Sequence, residues 1–266
     1  MTVSQKITKY SDRDLISCTE RLDFMSFSKV KTYLAFLLLF AFACPFVRAQ
    51  SLPLNDAEVW ENIYLEKNIT KRLLVRLNEE GRVVNNATNP NFAYLDIGLN
   101  YKLNKHIHLS LAYVLTEKQQ KTETFTTRHQ AYATITLRKK LFQFTFNNRS
   151  MIQWQVQDVY SSATGKFPEY YFRNKVSITY EKQFKFQPYV AEEVYCYLNQ
   201  PYVHWQYKFN RVRYFAGIYY HPNMINEFEI YYLFENNFNQ VNISPNKVAI
   251  NPQNNYILGL GYAHTF

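Results

Sequence analysis

Cysteine, glycine and long apolar runs are all scarce in this sequence of 266 residues. Of its three cysteines only Cys196 lies beyond residue 49, so the rest of the chain cannot form an internal disulfide. With only six glycines, the sequence contains no Gly-rich phosphate loop, paired-cysteine zinc spacing or nucleophile elbow. These absences exclude a disulfide framework and the common nucleotide-binding and hydrolase motifs.

An apolar run at 33–42 is about half the length of roughly 20 residues that a membrane-spanning helix needs. Lys29 and Lys31 precede the run and the small residue Ala49 follows it, an arrangement typical of a secretory signal peptide. We therefore predict that 1–49 is an N-terminal extension and signal peptide that is removed.

The remaining residues, 50–266, are predicted to form a single domain. Two alternatives concern the removed part: translation starting at Met25, and lipoprotein cleavage before Cys44. The formal charge of the whole chain is +9, but the first 49 residues hold seven Lys or Arg and four Asp or Glu, which leaves +6 for the rest. This charge is spread over many segments and forms no basic block, so we predict no nucleic-acid partner.

Alternation of apolar and polar residues with a period of two recurs along the rest of the chain. In 92–103, for example, Leu95, Ile97 and Leu99 share one phase while Asp96 and Gly98 occupy the other. Turn-rich pieces separate the alternating segments, and no stretch has sustained helical periodicity. The predicted strands are 58–67, 71–82, 92–103, 107–117, 125–139, 141–156, 169–182, 184–197, 202–210, 212–221, 226–238 and 254–266.

An antiparallel meander with one apolar face forms either a soluble barrel or sandwich with that face inside, or a membrane barrel with that face outside. Most of the segments reach the roughly 9–11 residues that a tilted membrane-spanning strand needs. Aromatic residues, 18% of the chain, crowd the strand ends, as in the aromatic girdles at membrane interfaces. We therefore predict an all-β fold: a closed antiparallel up-and-down transmembrane β-barrel of about twelve strands.

The last strand alternates large outward residues with small ones and ends on a phenylalanine. It resembles the carboxy-terminal signature of Gram-negative outer-membrane barrels, which the barrel-assembly machinery reads. The residues that match this signature are Leu258, Leu260, Tyr262 and Phe266. The resemblance implies an outer-membrane location, with membrane lipid, lipopolysaccharide and the assembly machinery as partners.

Several stretches resemble an uncharacterised outer-membrane family, the domain of unknown function numbered 2490. They are the early Trp60, then "NNRSMIQWQ", "YYFRNKVSITY", "QPYVAEEVYCYLN", "NRVRYFAGIYY" and the closing "LGLGYAHTF". The resemblance covers about residues 55–266 and implies a barrel, but it transfers no activity.

Charged residues in the polar phase of the middle strands are predicted to meet inside the barrel. Because an unpaired charge is costly at low dielectric, Glu193 is expected to pair with arginines from other strands. The predicted lumen charge cluster is Arg149, Arg173, Lys175, Glu193, Arg211 and Arg213. Two interpretations follow: a polar ladder that stiffens or plugs the barrel, and a selectivity ring for anionic solutes.

We predict a structural or small-solute passage role, with no enzymatic activity and no cofactor. A phospholipase-like outer-membrane enzyme is the first alternative, but His129, His204 and His221 lack a Ser neighbour in the arrangement that such a nucleophile needs. A soluble periplasmic ligand-binding barrel is the second alternative. His106 and His108 share a strand face, but no third ligand accompanies them, so no metal site is predicted.

Overall fold

The structure is a computed structural model, and it describes residues 54–119, 125–157, 169–182, 185–199, 208–237, 241–244, 247–250 and 253–266. Within these ranges no helix has the length and hydropathy of a transmembrane helix. The described residues form β-strands joined by turns. The all-β prediction is therefore confirmed.

Thirteen strands are described, and eleven of them close a barrel. β11 and β12 form a separate two-stranded sheet. The bounds are β1 Leu54–Asn68, β2 Leu73–Val84, β3 Asn89–Lys102, β4 Ile107–Gln119, β5 Phe125–Leu141, β6 Phe144–Gln157, β7 Glu169–Tyr180, β8 Phe186–Tyr197, β9 Phe209–Tyr220, β10 Asn226–Asn237, β11 Val241–Ser244, β12 Lys247–Ile250 and β13 Gln253–Thr265.

The barrel departs from the predicted one in strand number and in its closure. Neighbouring strands are antiparallel except for the first and last, β1 and β13, which pair in parallel from Leu54 opposite Gln253 to Glu66 opposite Thr265. An odd number of up-and-down strands makes the first and last run in the same direction, so a wholly antiparallel closure is wrong. The strand predicted at 202–210 accounts for the difference: β9 begins only at Phe209, and 200–207 lies outside the described residues.

The two ends of the barrel differ in the length of their connections. At one end, where β13 finishes, the connections are 69–72, 103–106, 142–143, 181–185 and 221–225. At the other end they are 85–88, 120–124, 158–168, 198–208 and 238–252. We call these the short-turn end and the long-loop end.

The apolar phase of each strand faces outward and the polar phase faces the interior. On β3, Leu95, Ile97 and Leu99 are 47%, 55% and 50% exposed, while Asp96 between them is 3% exposed. Arg128 and Lys175 line the interior cavity. This polarity is the reverse of a soluble protein, in which the apolar face is buried, and it matches a barrel whose surroundings are apolar.

The outward face is not uniformly apolar. Asn148, Ser150 and Asn174 share the outward phase of β6 and β7, where the Asn174 amide donates to Ser150 Oγ at 2.9 Å and to Asn148 Oδ1 at 3.2 Å. Glu61 and Glu79 share the outward phase of β1 and β2. The three amide and hydroxyl groups bond to one another, which lowers the cost of turning them toward an apolar medium.

The small residues of β13 make room for large side chains inside the barrel. Gly259 lies opposite Tyr231 of β10, and a Cβ at Gly259 would overlap the Tyr231 ring. That ring packs in an interior apolar cluster with Trp60, Leu233 and Ile257. The large residues of the predicted assembly signature lie on the other side of the strand, with Leu258, Leu260 and Phe266 exposed and Tyr262 partly exposed.

Candidate functional site

The barrel interior encloses a cavity of about 340 Å³ with charged walls. Nine Lys or Arg side chains and four Asp or Glu side chains line it. Basic side chains therefore exceed acidic ones by five around the cavity. Two further acids, Glu58 and Glu235, are buried on the inner face, and counting them reduces this excess to three. The wall of this cavity therefore carries an excess of positive charge.

Glu193 of β8 is the centre of the strongest ion-pair network. The residue is 1% exposed, and its Oε1 accepts hydrogen bonds from Arg149 at 2.9 Å and from Arg173 at 3.0 Å. Its other oxygen, Oε2, accepts from the Tyr195 hydroxyl at 3.2 Å and lies 3.6 Å from Arg213. Three arginines from three strands thus converge on one buried carboxylate.

A second carboxylate, Glu235 of β10, extends the network. It accepts from Arg213 Nε at 2.5 Å and lies 3.6 Å from Arg211. The amides of Asn237 and Asn255 donate to its other oxygen at 2.8 and 3.2 Å. Four hydrogen-bonding or ionic partners compensate the burial of this carboxylate.

The strand register explains the network. Directly opposed residues on five adjacent strands, from β10 to β6, are Glu235, Arg213, Glu193, Lys175 and Arg149. Signs alternate along most of this row, and opposite charges directly across a strand pair stabilise a sheet. The structure therefore brings Arg149, Lys175 and Arg213 beside Glu193 through backbone pairing alone.

Aromatic rings also contact four cations of the predicted cluster. The guanidinium carbons of Arg173, Arg211 and Arg213 lie 4.5, 5.0 and 4.9 Å from the centroid of Tyr195. The Lys175 ammonium lies 3.9 Å from the centroid of the Phe215 ring. Such contacts stabilise cations without adding a negative charge beside them.

The opposite wall carries a separate network that the sequence analysis missed. Tyr132 donates to Asp96 and accepts from Arg76 at 2.8 Å, and Arg76 lies 3.6 Å from Asp96. Its members belong to β2, β3 and β5; β2 and β3 are neighbours, whereas β4 separates β3 from β5, so Tyr132 reaches Asp96 across an intervening strand. In the sequence, the signal for this network was that its members share the polar phase of their strands.

Arg82 of β2 is held by two rings and an acid on that same wall. Its guanidinium carbon lies 3.8 Å from the Trp60 centroid and 4.1 Å from the Phe92 centroid, and it pairs with Glu80. The early Trp60 thus has an interior role as a platform for a cation.

Two ion pairs share Glu181, which lies at the rim just beyond the last residue of β7. Glu181 is 3.0 Å from Arg138 and 2.8 Å from Lys140. Burial alone would raise the pKa of the Glu181 carboxyl, but the Lys140 hydrogen bond and the charge of Arg138 lower its pKa below the usual value. The pairs therefore persist at neutral pH and are lost only when the pH falls through this lowered pKa.

The two histidines considered as metal ligands have different surroundings. His106 lies in the turn before β4, and its Nδ1 is 3.0 Å from the carbonyl oxygen of Arg138. His108 has the interior phase of β4. Among the described residues no group of three or more His, Cys, Asp or Glu is placed to hold a metal ion.

The fold and its interior define a class: a closed β-barrel with an apolar outer face and a charged lumen. Within that class, the chain belongs to the family described as Protein of unknown function (DUF2490), whose model matches residues 57–247. The resemblance noted in the sequence is thus confirmed. A search of curated proteins found no match.

Among solved structures, the NanC porin in a rhombohedral crystal form is similar at a TM-score of 0.46 and 13% sequence identity. That similarity covers 79% of this chain and 99% of that chain.

Proposed function

We propose that this protein is an outer-membrane β-barrel that passes small solutes and favours anions. The observation that carries the proposal is the excess of cations over carboxylates around the interior cavity, inside a barrel whose outer face is apolar. Rings of cationic side chains make a pore favour anions. The barrel strands have 12 to 17 residues, more than the roughly 9–11 that a tilted transmembrane strand needs.

The proposed location and partners follow from the outer face and the two termini. The predicted signal peptide would direct export, and the outward residues Leu258, Leu260, Tyr262 and Phe266 would present the carboxy-terminal signature to the barrel-assembly machinery. Membrane lipid and lipopolysaccharide would then contact the outer face. Heat-modifiable migration of protein from the outer-membrane fraction tests this part, and its absence from that fraction would contradict it.

The reversal potential in a planar bilayer under a KCl gradient tests the anion preference. We expect single-channel conductance with a reversal potential of the sign for anion preference, because cations outnumber acids in the lumen. A preference for cations would contradict the proposal. A lumen that stays closed at every voltage in heat-modifiable, folded protein would instead support the structural role, in which the ion-pair networks stiffen the barrel.

An enzymatic role is not proposed. The hydroxyls of Ser110 and Ser150 donate to Asn100 and Asn148, at 2.6 and 3.4 Å, and therefore have no histidine base as acceptor. Phospholipid hydrolysis by the purified barrel would overturn this part of the proposal.

A further inference from the structure

Three cations project into the lumen near the long-loop end. Lys118 lies one residue before the end of β4, Arg128 lies near the start of β5, and Arg211 lies near the start of β9. Lys118 is opposite Thr126 and Arg128 is opposite Thr116, so the two cations are diagonal neighbours on one face of the β4–β5 pair. All three side chains line the interior cavity. We call them the mouth cluster.

The mouth cluster lacks the acids that neutralise the cations around Glu193. Among the described residues, no carboxylate oxygen lies within 4.0 Å of Lys118 or Arg128, and Arg211 has only Glu235, at 3.6 Å. Glu235 is already bonded more closely to Arg213, at 2.5 Å. Arg128, Arg211 and Arg82 repel the Lys118 ammonium, and Glu235 attracts it.

Donor atoms in the mouth cluster are also without partners. The Nε atoms of Arg128 and Arg211 are shielded from solvent and have no hydrogen-bond partner in the part of the chain that the structure describes. A shielded donor without an acceptor costs free energy, which an incoming oxyanion would recover. Nearby on the same wall, Gln153 donates to Gln130 and Gln130 donates to Thr116 Oγ1, both at 3.0 Å, so these side chains hold one another in place.

We propose that the mouth cluster is a binding site for an oxyanion, a carboxylate or phosphate group of the transported solute. The site rests on the proposed passage function, since it lies in the same lumen. Arg and Lys together suit such a ligand because a guanidinium offers paired donors and an ammonium offers a compact charge. The anion would bind first at the long-loop mouth and then face the cationic row around Glu193.

Equilibrium binding of inorganic phosphate and of acetate to the folded full-length barrel in detergent tests the site, measured by ³¹P and ¹³C relaxation. In the K118Q/R128Q variant we expect the affinity for the bound anion to fall by about tenfold or more, because two charge-assisted contacts are lost. Lys105→Gln is the matched control: it removes one positive charge from an exposed turn at the short-turn end, and its affinity should equal that of the unaltered protein.

The outcomes separate this site from the passage function. If K118Q/R128Q binds phosphate and acetate as tightly as the unaltered protein does, the proposed site is wrong, even if the barrel conducts anions. Anion binding that is lost in the variant would support the site even if the lumen proves closed. An equal loss in K105Q would show general electrostatic attraction and overturn the site. If the double variant fails the heat-modifiability test of folding, K118Q and R128Q are measured singly, and retention of affinity in both overturns the site.

Discussion

Glu193→Gln is expected to lower the free energy of unfolding by roughly 3 kcal/mol, because removing one member of a buried ion-pair network leaves the others uncompensated. Glu193 is 1% exposed and accepts from Arg149 and Arg173 on one oxygen. The Gln side chain keeps the shape but replaces one acceptor oxygen by a donor amide. Urea unfolding of the barrel in lipid vesicles measures the change.

Glu192→Gln is the matched control, since Glu192 is the adjacent residue on the same strand and has the outward phase. In the proposed membrane barrel this charge would face apolar surroundings, so its removal should leave stability unchanged or raise it. Should the two variants lose stability equally, the interior network would not be what stabilises this wall. Where Glu193→Gln folds, its anion preference should exceed that of the unaltered barrel, since one interior negative charge is gone.

Gly259→Ala is expected to destabilise the barrel by about 1–3 kcal/mol, the cost of overpacking a filled interior. The added methyl group would overlap the ring of Tyr231, which is 7% exposed and packed in the interior apolar cluster. Gly261→Ala, two residues on and on the same face, should cost less, because its new Cβ would lie 3.0 Å from the Glu229 Cβ. The same vesicle unfolding assay compares the two variants.

A double-mutant cycle identifies the cause of the Gly259 effect. In a Tyr231→Ala background the ring is absent, so Gly259→Ala should cost little. If the cost of Gly259→Ala were the same with and without the Tyr231 ring, the close approach of these two residues would not explain why β13 carries glycine there.

Alternation in the sequence predicted most barrel strands because residues that alternate between the outer face and the lumen leave a period of two, which can be seen without knowing the neighbouring strands. The strands predicted at 92–103 and 107–117 closely match Asn89–Lys102 and Ile107–Gln119. The strand predicted at 212–221 corresponds to Phe209–Tyr220, whereas most of the strand predicted at 202–210 lies outside the described residues. Counting that segment as a barrel strand gave an even number, and an even number implies the antiparallel closure that the described barrel does not have.

The lumen cluster shows what phase alone can and cannot predict. Arg149, Arg173 and Glu193 have the polar phase of long, clearly alternating strands, so their shared face was visible in the sequence. Glu235 was missed because the interior phase of β10 also carries Tyr231 and Leu233, which conceals a polar face. Which acid meets which arginine depends on strand register, and register is set by turn lengths and barrel closure rather than by composition.

Site-directed spin labelling of β4 in lipid vesicles tests most directly whether the apolar face lies in the membrane and the polar face in the lumen. Single cysteines replace residues 109 to 115 in turn, in a chain whose one cysteine beyond residue 49 is changed by Cys196→Ser. We predict that labels at Leu109, Leu111, Tyr113 and Leu115 collide with dissolved oxygen, whereas those at Ser110, Ala112 and Val114 collide with a water-soluble nickel complex. Equal access of the nickel complex to both sets would place the outer face in water and contradict the membrane barrel.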